Sequence, residues 1–278
     1  MGFSGTNRHW FIIGAEFPVG QHLAELASEK ALPYSTRRID SREALSVPVG
    51  AQASPLAIIA VPGEGDELFG HVQEWLDMLI TQDIPLVLLS SAKVFHYNEV
   101  GSLEDDEMTG DDALIHLEQN ARRQSRHLIL RTNEPFSLRS RDFAVELLAE
   151  AREKGELKLD NLTRMAPTPT SDVADVLYAV LQQISCDESL WGTYHYCGVE
   201  STTLYAFAEV LLAEARQYED ISNVVLTELP EDACIPTETI LDSKRIKHTF
   251  GIKPKAWRQA LSRLIRRYYR ADEQETAE

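Results

Sequence analysis

Apolar runs of strand length alternate with amphipathic stretches through the first half of the chain. Residues 10–13 (Trp-Phe-Ile-Ile) run into Gly14. A stretch whose apolar face begins at Val19 then continues to about residue 30, the pattern of a buried strand, a tight turn and a helix. Residues 33–38 read as a second strand. Residues 56–61 are a continuous apolar run, as expected of a central parallel strand covered on both faces. Pro62, Gly63 and Gly65 break that run, and Leu68, Val72, Trp75, Leu76 and Leu79 give a helix over 67–80. A further buried strand spans 85–89. It is followed by a polar loop (90–110), a helix (111–124) and a strand (127–131). This rhythm predicts an α/β fold built on a Rossmann-like doubly wound parallel sheet.

The second half is less regular. Residues 143–154 read as a helix closed by Gly155, and 171–184 as a helix with Ser171 at its N-cap and Asp172 in its first turn. Residues 192–197 alternate like a strand, 202–218 are amphipathic and 223–229 extended. Two short helices (242–250 and 255–269) are separated by Gly251 and Pro254, and the acidic tail 271–278 reads as frayed. The division expected is a dinucleotide-binding domain over 1–165 and a smaller, mostly helical substrate lobe over 166–278, with interleaving of the two left open.

The strand–turn–helix around Gly14 is how a dinucleotide-binding unit opens, its helix N-terminus facing a pyrophosphate. Gly14 and Gly20 keep the outer glycines of the G-x-x-G-x-x-G spacing found in short-chain dehydrogenases/reductases, but Phe17 takes the middle position. A phenyl ring there stands where the backbone must approach phosphates, and Pro18 has no N–H to offer them. Two readings stand side by side. One is a plain strand–helix turn with proline in the first helical turn, where its missing N–H costs nothing. The other is a working cofactor site lined by Gly14, Phe17, Pro18, Val19 and Gly20. At the end of the second strand, Arg37 and Arg38 point to the 2′-phosphate of NADP, or else pair with Asp40 on the surface.

Composition narrows the classes. A net charge of −17 argues against general binding to nucleic acid or anionic membranes, while leaving a local pocket for a small anion. The cysteines, Cys186, Cys197 and Cys234, are dispersed and odd in number, so neither a disulfide framework nor a zinc site is indicated and a reducing cytoplasm fits. No apolar run approaches a membrane span, and no signal peptide is read before the first strand. Residues 1–6 formally fit an N-myristoylation pattern at Gly2, but a short polar leader accounts for them. The eight histidines include no H-x-x-x-H or H-E-x-x-H pair, so no metal is expected. His116 reads as a helix-surface residue, and the acidic run 104–107 as a solvated loop.

Several segments together carry a family likeness. Pro167-Thr168-Pro-Thr-Ser-Asp172-Val-Ala174, Gly192-Thr-Tyr-His195-Tyr-Cys-Gly198, Thr203-Leu-Tyr-Ala-Phe-Ala208 and Trp257-Arg-Gln-Ala-Leu261 lie in the second half. Ser90-Ser91-Ala-Lys-Val94-Phe95 and Arg131-Thr132 lie in the first. In order and spacing the chain resembles the dTDP-4-dehydrorhamnose reductase family, extended short-chain reductases acting on a nucleotide-linked 4-keto-6-deoxy sugar. The resemblance implies NADPH as hydride donor and a Tyr-x-x-x-Lys pair, in which the tyrosine protonates the developing alkoxide and the lysine lowers its pKa. With Glu118 as anchor, those positions fall on Gly110 and Leu114. No tyrosine in the chain has a lysine four residues later. Ser91 matches the family's catalytic hydroxyl, and Ser90, Phe95 and Thr168 its substrate contacts. The family's acid and tryptophan are replaced by Ala92 and Glu134.

The expectation is a catalytically degenerate relative of these reductases with a ligand-binding or regulatory role and weak or lost NADP binding. The alternative is an NADPH-dependent reductase using substitute residues. A nucleotide-sugar or similar small molecule, a protein partner and a homo-oligomer are left open. Nucleic acid and membrane partners are not expected.

Overall fold

In the computed structural model, residues 8–47, 53–60, 66–98, 100–133, 135–139, 142–234 and 240–275 are described. The leader with Gly2, the break at 62–65, Glu134 and the end of the tail lie outside the described residues. In chain order the first half runs β1 (Arg8–Ile13), α1 (Pro18–Glu29), β2 (Tyr34–Arg37), β3 (Ser54–Ala60), α2 (Asp66–Thr81), β4 (Leu86–Ser91), α3 (Asp112–Ala121) and β5 (His127–Thr132). The second half runs β6 (Pro135–Phe136), α4 (Phe143–Lys154), β7 (Glu156–Leu159), β8 (Thr168–Pro169), α5 (Thr170–Ile184), β9 (Gly192–His195), α6 (Leu204–Ala215), β10 (Val225–Glu228), α7 (Lys244–Phe250) and α8 (Trp257–Glu275).

Six parallel strands form the central sheet in the order β2-β1-β3-β4-β5-β9. The chain order reverses between β1 and β3, so the crevice beyond their carboxyl ends is the topological switch point, where such sheets bind ligands. Each central strand is apolar on both faces because both faces are covered. Trp10, Ile12, Ile58, Val87 and Leu130 pack with α1, α5 and Phe250 of α7. Ile13, Ile59, Leu88 and Ile129 pack with α2 and α3. A third core, around Phe136, Phe207 and Trp257, joins α4, α6 and α8 with the small pairs β6–β8 and β7–β10. The 166–278 segment thus contributes β9 and α5 to the sheet layers and α6 and α8 to the third core.

Three local expectations are corrected. Helix α5 begins at Thr170 with Pro169 as N-cap and no side-chain cap, rather than with Ser171 capping. Thr168 and Pro169 are held extended by pairing with β6, so the helix starts directly from the strand. The last helix is not short: α8 continues to Glu275, through the segment read as frayed. Leu261, Ile265 and Tyr269, four residues apart, anchor it in the third core, and the residues beyond are mostly good helix formers. The acidic run is not uniformly solvated, because Glu104 is buried. Among the described residues no helix is long and apolar enough to cross a membrane.

Candidate functional site

The turn after β1 is built on its two glycines. Gly14 has φ +83°, and a Cβ there would lie 2.6 Å from Ala60 O of β3. A Cβ on Gly20 would lie 2.3 Å from Gly14 O, so α1 packs directly on the turn. Both positions therefore demand glycine. Phe17 is the N-cap of α1 in extended conformation. Its N–H donates to Gly14 O (3.1 Å), its carbonyl accepts from Gln21 N (2.9 Å), and no side chain caps the helix. Pro18 follows in the first turn, with Val19 and Gly20. Helix α1 sits on the α5 face of the sheet, whereas the half-buried Phe17 ring packs against the opposite, α2-side cluster. The ring therefore passes over the carboxyl end of β1, so close that a Cβ on Gly14 would lie 3.2 Å from its Cδ2.

At the end of β2, Arg37 O accepts from Gly14 N (2.9 Å) and Ala15 N (3.2 Å), tying the strand to the turn. The Arg37 guanidinium forms an ion pair with Glu43 (3.3 Å). Arg38 pairs with Asp40 (3.0 Å) and holds that carboxyl below its usual range. Such surface pairs are weak and can be given up to a ligand. Glu16, not singled out from the sequence, reaches across from the turn. Its Oε1 accepts from Ile39 N (2.9 Å), and its Oε2 is shut from solvent without a hydrogen-bond partner. Ile39 is buried, and its carbonyl accepts from the Trp75 indole (2.8 Å).

Strand register places Ser90, Arg131 and His195 side by side across β4, β5 and β9. They form a buried polar hub with Glu118 of α3. Arg131 donates bidentately to Glu118 (2.8 and 2.6 Å), Ser90 Oγ donates to Glu118 Oε1 (2.8 Å), and Arg122 adds a bond to Oε2 (3.1 Å). Arg131 also donates to His195 Nε2 (3.1 Å). Burial and the adjacent guanidinium push this imidazole down to about 3, so it is neutral and acts as acceptor. Phe95 stacks edge-on against His195 and lies under the Arg131 guanidinium. Glu104 accepts from His195 N (3.1 Å), and its neighbour Asp105 pairs with Arg245 of α7; burial pushes the Glu104 carboxyl up. The acidic loop is thereby docked onto the C-terminal segment.

The expected site residues separate accordingly. Gly14, Phe17, Pro18, Val19, Gly20, Arg37 and Arg38 gather at one end of the crevice. Ser91 ends β4, its Oγ accepting from Lys93 N (3.2 Å) at the start of a single helical turn, Ala92–Val94. Ser90 and Phe95 lie inside the hub. Thr168 is fully buried, its hydroxyl 2.8 Å from Asn133 O and accepting from Gly198 N (3.1 Å), where it joins the ends of β5 and β9. His116 is exposed on α3. Among the described residues no group of three or more His, Cys, Asp or Glu is placed to hold a metal ion.

Residues 80–270, more than two thirds of the chain, match the RmlD substrate binding domain. The chain belongs to that family. It is 30% identical to the dTDP-4-dehydrorhamnose reductase of Aggregatibacter actinomycetemcomitans over 49% of each chain. It is 23% identical to that of Sinorhizobium fredii over 77% of this chain and 75% of the relative. The chain spans about half the length of the first curated relatives it matches. Among solved structures it is similar to the Clostridium acetobutylicum reductase (TM-score 0.74, 17% identity, 92% of this chain and 98% of that one). The Bacillus anthracis reductase in complex with NADP is similar over the same shares (TM-score 0.73, 17% identity). MoeE5 in complex with UDP-glucose and NAD has a TM-score of 0.74 at 15% identity, over 95% and 99%. These likenesses show the extended short-chain reductase fold.

In this member of the RmlD family, the positions assigned to the catalytic pair are closed. Gly110 N donates to Val94 O (3.0 Å), and a Cβ at Gly110 would lie 2.1 Å from Lys93 O and 2.8 Å from the Phe95 backbone. Leu114 is buried in the core between α2 and α3. Helix α3 starts only at Asp112, capped by Asp111, whose side chain accepts from Leu114 N (3.0 Å).

Proposed function

We propose that this chain is a catalytically degenerate member of its family, with a ligand-binding or regulatory role in place of hydride transfer. One observation carries the reading: no tyrosine precedes a lysine by four residues, and the two expected positions hold a glycine sealed against backbone and a core leucine. Reducing a keto sugar leaves an alkoxide that must be protonated. Ser91 is the hydroxyl at the end of β4, and an unperturbed serine is far too weak an acid near neutrality. Loss of a general acid alone costs about 10²–10⁴ in rate.

The residues of the turn do not fit NADP(H). The Phe17 ring lies over the end of β1, and Pro18 offers no N–H. At the end of β2, Glu16, Asp40 and Glu43 outnumber Arg37 and Arg38. We therefore expect NADP binding to be weak or lost. The remaining crevice suits a nucleotide-sugar or similar small molecule, with 1–165 as the dinucleotide-type domain and 166–278 as the interleaved substrate lobe, in a cytoplasmic protein acting alone, as a homo-oligomer or with a protein partner. A second reading, NADPH-dependent reduction of a nucleotide-linked 4-keto-6-deoxy sugar with substitute residues, is favoured by the intact Gly14–Gly20 turn geometry and by Ser91 at its strand end.

Titrating NADPH against intrinsic tryptophan fluorescence tests the cofactor part. No saturation in the micromolar range is expected. Sub-micromolar binding would favour the second reading.

A further inference from the structure

We propose that Met108, on the acidic loop, is a site of reversible oxidation by hydroperoxides, with the guanidinium groups of Arg131 and Arg122 receiving the sulfoxide oxygen. This holds whether or not the chain transfers hydride. Arg131 donates to the thioether Sδ at 3.0 Å, and Arg122 Nη1 reaches it at 4.0 Å. A thioether is a weak acceptor, poorly matched to two charged donors. A sulfoxide oxygen is a far stronger one, and buried among apolar groups it disrupts packing. Beside Met108 the two cationic donors it needs are already in place.

Solvent reaches this side of the hub. Arg131 is buried, but the Arg122 side chain is 32% exposed, Met108 is half-buried, and Asp106, Glu107 and Thr109 around it are exposed. In the reaction a sulfur lone pair attacks one peroxide oxygen. The S–O bond forms as the O–O bond breaks, and the hydrogen on the transferred oxygen passes through solvent to the departing hydroxide, giving water. Sulfur loses the two electrons that the peroxide gains. The looser guanidinium, Arg122, supplies a fixed donor for the charge developing on oxygen. Both guanidiniums are held by Glu118 Oε2, so they address the sulfur from the hub side and select one sulfoxide epimer. Arg131 also donates to Glu104 O (3.3 Å), so it clasps the acidic loop at two points and oxidation acts on the seat of that loop. Met78 of α2 is half-buried against the same core, and its sulfur has no hydrogen-bond partner among the described residues, which makes it an internal control.

The test exposes the folded full chain to hydrogen peroxide and follows sulfoxide at Met78 and Met108 by peptide mass spectrometry, with the two epimers separated by chromatography. Met108 is expected to oxidise about tenfold faster than Met78 or more. It is expected to give predominantly one epimer, which a thiol-dependent methionine sulfoxide reductase of matching stereochemistry returns to the thioether. Arg122→Gln removes the charge on the open side and is expected to slow Met108 severalfold while leaving Met78 unchanged. Oxidation of Met108 no faster than that of Met78 overturns the inference. So does an equal mixture of epimers at Met108, or an unchanged Met108 rate in Arg122→Gln. Should that variant fail to fold, the rate ratio and the epimer ratio in the unmodified chain decide.

Discussion

A side chain at position 110 has nowhere to go, since its first carbon would meet Lys93 O at 2.1 Å. Gly110→Ala is expected to lower stability by roughly 1–3 kcal/mol, measured by urea denaturation, as overpacking does elsewhere. Gly110→Tyr with Leu114→Lys is expected to cost more and to yield no activity, because it adds a ring against backbone and a charge to the core. The hub gives a second residue-scale expectation. Removing one partner of the buried Arg131–Glu118 pair leaves an unpaired charge and costs about 3–5 kcal/mol. Replacing both by apolar residues is expected to cost clearly less than the two single changes together; additive costs in a double-mutant cycle would contradict this. In the sequence, Arg131 and Glu118 were visible only as motif positions. Their partnership depends on a register that sets Ser90, Arg131 and His195 abreast, and no local pattern encodes it. Glu16 was illegible for a similar reason, since a glutamate in a turn reads as an ordinary surface residue until Ile39 is brought to it.

At the scale of elements, α4 carries a pH-sensitive cap. Asp142 accepts from Ala144 N (3.0 Å), Ser137 N (2.5 Å) and Ser137 Oγ (2.9 Å), yet burial pushes its carboxyl up to about 7. The folded chain then holds a proton that the unfolded chain releases near pH 4. This contribution is present in full below pH 4 and declines as pH rises towards 7. Relative to Asp142→Asn, the unmodified chain is expected to lose on the order of 1–4 kcal/mol across that interval. Denaturation at a series of pH values checks it, and a pH-independent difference would contradict it. The long elements were legible because β1, β3 and β4 are continuous apolar runs and α2 keeps one apolar stripe. The pairs β6–β8 and β7–β10 are not legible as sheets, since two to four residues carry too little periodicity. The start of α5 leaves no capping signature in the sequence because a preceding strand, rather than a capping side chain, sets it.

For the whole molecule, alternation of strand and helix was enough to give the parallel sheet, and its order puts the switch point between β1 and β3. What the sequence did not disclose is how the crevice is filled. Phe17 caps α1 but packs on the opposite face, and the acidic loop is held by His195 of β9 and Arg245 of α7. The retained fold and the proposed loss of the catalytic pair together make hydride transfer the decisive property. The most direct measurement is NADPH oxidation by the purified chain with a dTDP-4-keto-6-deoxy sugar, alongside Ser91→Ala. The account predicts a rate indistinguishable from the protein-free blank for both proteins. Saturable turnover by the unmodified chain, abolished by Ser91→Ala, would contradict it.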